Sequence, residues 1–265
     1  MRPSAAFAIA FLAPAVLIGI PLQYLALKAS PGLARQIPNL FHRWVNHVLG
    51  IRRTLVGAPH SGGPLLMASS HASWLDITVL SAIAPVSFVA KSEVGDWPLF
   101  GLFARLQRTV FVDRTRRSAT GRTTAEMAER LGSGDALVLF PEGTSNDGNR
   151  VYPFRSALLG AASAALTASA DKPVWVQPVA IVYRGIHGVP GGRRIRPRLA
   201  WYGDMDLAPH LLDVLAMGAI DVTVVFGDPV LLEAAVDRKA LARELERNVR
   251  AMAAKARSGE VASAI

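Results

Sequence analysis

Pro64-Leu65-Leu66-Met67-Ala68, followed by Ser69-Ser70-His71-Ala72-Ser73-Trp74-Leu75-Asp76, decides how this 265-residue chain is read. The first five residues form a short apolar run of the kind presented by a strand buried on both faces. His71 then falls at or just past a strand end, where α/β sheets carry their chemistry. Phe140-Pro141-Glu142-Gly143-Thr144 repeats the layout, with an apolar strand running into a tight polar turn. The two turns read as the walls of one active site.

Working outward from Leu65–Met67, further β-type runs are Val86–Ala90, Thr109–Val112, Leu137–Phe140, Val174–Val182, Arg198–Trp201 and Val222–Phe226. Helical patterns lie between them. Thr123–Leu131 turns Ala125, Met127, Ala128 and Leu131 inward and stops at Gly132, a C-cap signal. Phe154–Ala168 is alanine-rich and nearly uncharged, which predicts burial. Asp237–Ala256 is charged and amphipathic, with Asp237 as its N-cap. Gly188–Arg194 reads as a loop. Alternating short strands and helices predict an α/β fold: a single domain with a mixed, largely parallel sheet flanked by helices. An N-terminal membrane-interface helical hairpin precedes it. The expected division is residues 1–53 for the membrane-anchoring helices and 54–265 for the globular domain.

Ala5–Leu27 is a run of 23 residues without a charge. As a helix it would extend roughly 35 Å, enough to cross a bilayer core. Pro14 and Pro21 argue for a kinked, broken or half-inserted helix. A cleaved signal peptide fits less well, because the run is long and no clear small-x-small site follows. Lys28, Arg35, Arg43, Arg52 and Arg53 follow the run, against Arg2 before it; if the run spans, this bias leaves the body of the protein on the cytoplasmic face. In Pro38–Leu49, Leu40, Phe41, Trp44, Val45, Val48 and Leu49 recur at helical spacing. That stripe suits either a membrane interface, with Arg43 toward headgroups, or core packing. His42, His47 and His60 read as surface or interfacial.

The chain is 51% hydrophobic and 18% charged, with a formal charge of +9 and a mean hydropathy of +0.29. These values lie between those of a soluble enzyme and a polytopic membrane protein. Basic surface suits anionic headgroups or substrates. Sparse aromatics and the lack of a recognition-helix or RNA-binding signature argue against nucleic acid. There is no cysteine, which excludes disulfides, thiolate metal sites and a cysteine nucleophile. No metal cluster or dinucleotide fingerprint is visible, so no tightly bound cofactor is expected.

His71 and Asp76 are five positions apart, and such positions diverge by about 140° on one regular helix. They meet if His71 lies in the turn and Asp76 one turn inside the helix. The carboxylate can then fix the imidazole tautomer and leave the other nitrogen free as a base. Gly143 permits unusual backbone angles or close approach of a ligand. In Val110-Phe111-Val112-Asp113-Arg114, Arg114 follows another strand and can clamp a phosphate, or be a solvated arginine in the run Arg114-Thr115-Arg116-Arg117. Pro178, within Val174–Val179, marks an edge, a bulge or a strand end.

Together and in order, His71 to Asp76 (H-x4-D), Phe111 to Arg114 (F-[IV]-x-R), Phe140 to Thr144 (F-P-E-G-T) and Val174 to Pro178 resemble the glycerolipid acyltransferase family typified by lysophosphatidic acid acyltransferases. The resemblance spans roughly residues 64 to 183. It implies a membrane-associated O-acyltransferase, with acyl-CoA or acyl carrier protein as donor and no other cofactor. The first acceptor implied is 1-acyl-sn-glycerol-3-phosphate, giving phosphatidic acid. The alternative is lyso-ornithine lipid, whose headgroup has no phosphate. Lower-ranked readings are a non-catalytic lipid-binding protein and a thioesterase-like hydrolase. In family terms His71 is the general base and Asp76 its orienter. Arg114, Glu142, Gly143 and Thr144 bind the acceptor headgroup, joined by Ser145 and Arg150 in the same loop. The implied location is a bacterial inner membrane, with the catalytic domain on the cytoplasmic face. Two positions depart from the pattern. Arg108 stands where the arginine motif usually begins with glycine, and Ser145 stands where an arginine usually follows F-P-E-G-T. Losing that charge-assisted contact costs about 1.5–3 kcal/mol unless Arg108 or Arg150 replaces it.

Overall fold

A computed structural model describes residues 3–112, 117–159, 173–232 and 237–260. Its sheet has the order β1-β8-β6-β2-β5-β3-β4. The strands on this path are β1 (Arg52–Val56), β2 (Leu65–Ser69), β3 (Val86–Lys91), β4 (Val110–Val112), β5 (Ala136–Leu139), β6 (Val174–Ile186) and β8 (Ile220–Phe226); β7 (Val189–Pro190) and β9 (Val230–Leu232) pair with β6. The pairs β2–β5, β2–β6, β3–β5, β3–β4 and β1–β8 are parallel. β6 pairs antiparallel with β7, β8 and β9. The sheet is therefore mixed and mostly parallel, as the alternating pattern predicts.

Period-two alternation explains why both faces are covered. Leu65, Met67, Val138, Val179, Ile181 and Val224 point to one face, where they pack under helices α1 (Pro3–Ala29), α2 (Pro31–Val48), α3 (Leu75–Ile83) and α7 (Leu207–Met217). Leu66, Ala68, Leu137, Leu139, Val176 and Val182 point to the other. There they meet α5 (Arg117–Gly132), Leu158 and Leu159, and α8 (Arg238–Ser258). Asp237 caps α8 by accepting from the Lys239 N–H at 2.9 Å. α4 (Phe100–Leu106) and α6 (Gly192–Leu199) complete the helices named here. Of Phe154–Ala168, residues 156–159 are helical and 160–168 lie outside the described residues.

Several local expectations are corrected. Arg198–Trp201 is not a strand. Ile195 and Leu199, four apart, turn one side of α6 inward, and the chain becomes extended only at Ala200. Gly192–Arg194 opens this helix instead of continuing the loop. The left-handed residue after α5 is Gly134 (φ +81°), two beyond Gly132. Pro178 lies in an interior strand, opposite Ala68. Its missing N–H is tolerated because β6 changes partner there, from β9 to β8, and its carbonyl still accepts from Gly227 at 2.9 Å.

α1 follows the body of the protein, packing against α2, α4 and α7. Ala5 and Ala8 are buried at one end. Near the other, the Gln23 side-chain amide donates to the Ala34 carbonyl (3.0 Å) and the Leu106 carbonyl (2.7 Å). The outward side leaves Leu17 73% and Ile18 60% exposed. His42 of α2 is half-buried. It lines an apolar cavity between α1, α2 and α4, and burial lowers its pKa to about 4. Gln23→Leu should destabilise the fold by about 1–3 kcal/mol in chemical denaturation, because two buried carbonyls lose their donor. An unchanged midpoint would mean that α1 is not tied to α4.

Candidate active site

Parallel pairing brings the C-terminal ends of β2, β3 and β5 to one edge of the sheet, and the two polar turns leave from that edge. β6 runs parallel to β2 but continues beyond it, so Tyr183 stands over the turn that carries His71. The turn is fixed to β6 by two bonds. The Ser70 N–H donates to the Val179 carbonyl (3.1 Å) and the Ile181 N–H to Ser70 Oγ (3.0 Å).

α3 begins at Leu75, four residues after His71, so Asp76 reaches back toward the turn. The Asp76 carboxylate is fully buried and receives four donors. Oδ2 lies 2.9 Å from His71 Nδ1 and accepts from the N–H groups of Ala72 (2.8 Å) and Ser73 (3.0 Å). Oδ1 accepts from the Tyr183 hydroxyl at 2.6 Å. Burial pushes the Tyr183 phenol well above its ordinary range, and the Asp76 charge pushes it further, so it remains a donor. Bonding at Nδ1 leaves Nε2 as the free nitrogen of His71. The imidazole stacks on Phe140, with centroids 4.0 Å apart and planes at 17°, and its side chain is 18% exposed.

The second turn locks onto the first through Glu142, which is also buried. Oε1 accepts from the His71 backbone N–H (2.9 Å); Oε2 accepts from Asn146 Nδ2 (2.7 Å) and the Tyr152 N–H (2.7 Å). The Asn146 N–H donates back to the His71 carbonyl at 3.1 Å. Burial raises the Glu142 pKa from 4.5 to about 7, the three donated hydrogen bonds opposing the shift. Gly143 adopts φ +73°, which allows the tight turn.

The other expected site residues divide. Thr144 is exposed. Ser145 Oγ donates to the Trp201 carbonyl at 2.5 Å. Arg150 is exposed, with its guanidinium 5.0 Å from the Tyr152 ring centroid. Arg114 lies outside the described residues. Arg108 cannot supply the missing cation. It precedes β4, at the opposite end of the sheet, and pairs with Asp135 at 2.6 Å beside Arg35 and Arg130. Asn146 and Tyr183 were missed. The available signals were a polar residue just beyond F-P-E-G-T and a tyrosine ending a long apolar strand.

Two outcomes test this geometry. Glu142→Gln should cost about 1–3 kcal/mol of stability, because an amide NH2 faces at least one of three inward donors. The native state binds the Glu142 proton more tightly than the unfolded state does. Its contribution is therefore fully present below pH 4.5 and is lost as pH rises through about 7. The stability difference between wild type and Glu142→Gln should shift across that window, and a pH-independent difference would contradict the assignment.

Comparisons with known proteins identify the family and the fold. A family model described as Acyltransferase matches residues 51–182. The chain is 57% identical to the lyso-ornithine lipid O-acyltransferase of Brucella abortus over 88% of this chain and 87% of the relative. It is 45% identical to that of Rhizobium meliloti, covering 89% and 81%. A 1-acyl-sn-glycerol-3-phosphate acyltransferase of Neisseria meningitidis is 32% identical over 74% and 72%. The crystal structure of a 1-acyl-sn-glycerophosphate acyltransferase from Thermotoga maritima shares the fold, with a TM-score of 0.59 and 19% identity over 91% of this chain and 95% of that one. The chain is an acyltransferase, and it belongs to the glycerolipid acyltransferase family.

Proposed function

We propose that this enzyme transfers a fatty acyl chain from an acyl thioester, on CoA or acyl carrier protein, to the free hydroxyl of lyso-ornithine lipid. The observation that carries the reading is the His71–Asp76 pair, at 2.9 Å, in a chain 57% identical to a lyso-ornithine lipid O-acyltransferase. Ser145 supports the choice of acceptor. It replaces an arginine suited to phosphate and spends its hydroxyl on the Trp201 carbonyl. 1-Acyl-sn-glycerol-3-phosphate is the second reading, favoured by the likeness to the Neisseria enzyme.

His71 Nε2 accepts the proton of the acceptor hydroxyl as that oxygen attacks the thioester carbonyl carbon. The tetrahedral intermediate collapses, the C–S bond breaks, and the thiolate recovers the proton from the imidazolium. No acyl-enzyme forms. Asp76 holds the Nδ1–H tautomer and stabilises the imidazolium. Glu142 positions the His71 backbone; with both oxygens occupied internally, it serves the acceptor site by holding its two walls together. Gly143 and Thr144 line the acceptor side, and the family resemblance gives Arg114 a role in binding the headgroup.

The helices α1 and α2, within residues 1–53, form the membrane-anchoring unit, and the acyltransferase domain of residues 54–265 also takes in Arg52 and Arg53, which open β1. α1 is held along the body by Gln23 and its buried alanines. It therefore lies in one leaflet, with Leu33, Leu40 and Trp44 of α2 exposed beside it. Membrane lipids are thus both substrate and support, on the cytoplasmic face of a bacterial inner membrane.

Purified enzyme with a labelled acyl donor should acylate lyso-ornithine lipid in preference to 1-acyl-glycerol-3-phosphate. The reverse preference would overturn the acceptor. His71→Ala should lower kcat by about 10²–10⁴ with little change in acceptor binding. Leu17→Glu with Ile18→Glu should weaken vesicle binding by at least about tenfold. Undiminished binding would reject the interfacial helix.

A further inference from the structure

We infer that Arg196 is the guanidinium that receives the anionic group of the acceptor headgroup, substituting from a different element for the arginine that Ser145 replaces. This rests on reading the chain as a lyso-lipid acyltransferase. Arg196 comes from α6, which packs beneath the loop 146–149. The Gly148 contacts fix the approach. A Cβ built there would lie 3.2 Å from Arg196 Cβ and 3.9 Å from Ala72 Cβ. The stem of Arg196 is therefore next to the turn that carries His71. Gly148 also takes φ +75°, so the close passage and the turn both call for glycine.

Arg196 is only 7% exposed. Nη1 donates to Asn149 Oδ1 at 3.0 Å, and Nε is buried with no partner among the described residues. A buried guanidinium is costly unless an anion completes it. Among the described residues no carboxylate forms an ion pair with it, and the nearby Asp147 charge only partly offsets the cost. Arg184, Arg193, Arg196 and Arg257 gather here, and among the described residues none of the four makes an ion pair. Asp147 is the nearby acid, and it accepts from the Asn149 N–H and the Asn149 side-chain amide, both at 3.1 Å. Burial and then the charges of Arg257, Arg184 and Arg193 lower the pKa of Arg196, and the Asp147 charge opposes the shift without cancelling it. Arg193 is exposed, so the cluster runs from the surface inward to Arg196.

The chemistry such a site takes is an oxyanion on a short headgroup. An ornithine headgroup offers a carboxylate and a glycerol phosphate offers a phosphate. Each lies a few bonds from the hydroxyl that reacts, so a guanidinium held at Asn149, in the loop that packs against the His71 turn through Gly148, can take the anion while that hydroxyl faces His71. Arginine matches either group with a two-pronged fork, and lysine does not.

The test uses full-length wild type, Arg196→Gln and Arg196→Lys, with lyso-ornithine lipid and with its carboxylate methyl ester. Arg196→Gln retains a donor toward Asn149, and thermal melting selects the folded variants. Arg196→Gln should raise the acceptor KM at least about tenfold and leave the donor KM within about twofold. Arg196→Lys should fall between. The methyl ester should lose a similar factor on wild type and little more on Arg196→Gln, because the two changes remove one interaction. A raised donor KM with an unchanged acceptor KM would overturn the inference and assign the cluster to the donor's phosphates. Equal discrimination against the ester by wild type and variant would also overturn it. If wild type acylates only 1-acyl-glycerol-3-phosphate, the acceptor assignment fails by itself. The same KM comparison on that lipid then decides whether Arg196 holds its phosphate.

Discussion

Asp76 holds a carboxylate in the interior with no exposed surface, a position that costs several kcal/mol unless donors replace the lost water. The site is arranged around meeting that demand. Two backbone N–H groups of the 71–73 turn, the His71 ring and the Tyr183 hydroxyl converge on its two oxygens. Each bond also orients something else. The backbone donors fold the turn back onto the start of α3. Tyr183 ties the turn to the far half of β6. The imidazole is left with one defined free nitrogen. Glu142 repeats the device from the second wall, and its bond to the His71 N–H makes the two turns one rigid unit.

The sheet supplies the frame for this unit. Parallel β2 and β5 deliver His71 and Glu142 to the same edge, although 71 positions separate them in sequence. β6 is the one long strand of the site. Its first part pairs with β2, and its later part reaches past the end of β2 with Tyr183. The same edge is bordered by α6, whose close passage at Gly148 brings cationic side chains toward a loop that has lost its own arginine. On the sheet face that carries α1 and α2, apolar side chains remain exposed.

Much of this was legible in the chain. The apolar runs gave away the parallel strands, and His71 and Glu142 were readable because each sits just beyond one. Asp237 and the last amphipathic helix were likewise local signals. What could not be read depended on partners distant in sequence. Tyr183 lies 107 positions from Asp76, and nothing near it in sequence marks its bond. Asn146 and Arg196 acquire meaning only when their loops are brought together. Arg198–Trp201 was misread because it straddles a boundary: Arg198 and Leu199 close α6, and the chain becomes extended only at Ala200. Arg108 looked available as a replacement cation until the strand direction carried it to the wrong end of the sheet.

The central claim is that Asp76 sets the state of His71. Nitrogen-15 NMR of selectively labelled histidine, near neutral pH and without substrate, reads it directly. The account predicts that neutral His71 carries its proton on Nδ1, with a strongly hydrogen-bonded ring N–H and an unprotonated Nε2, and that Asp76→Asn abolishes this pattern. A His71 ring protonated on Nε2 in the wild type, or a spectrum unchanged by Asp76→Asn, would contradict it.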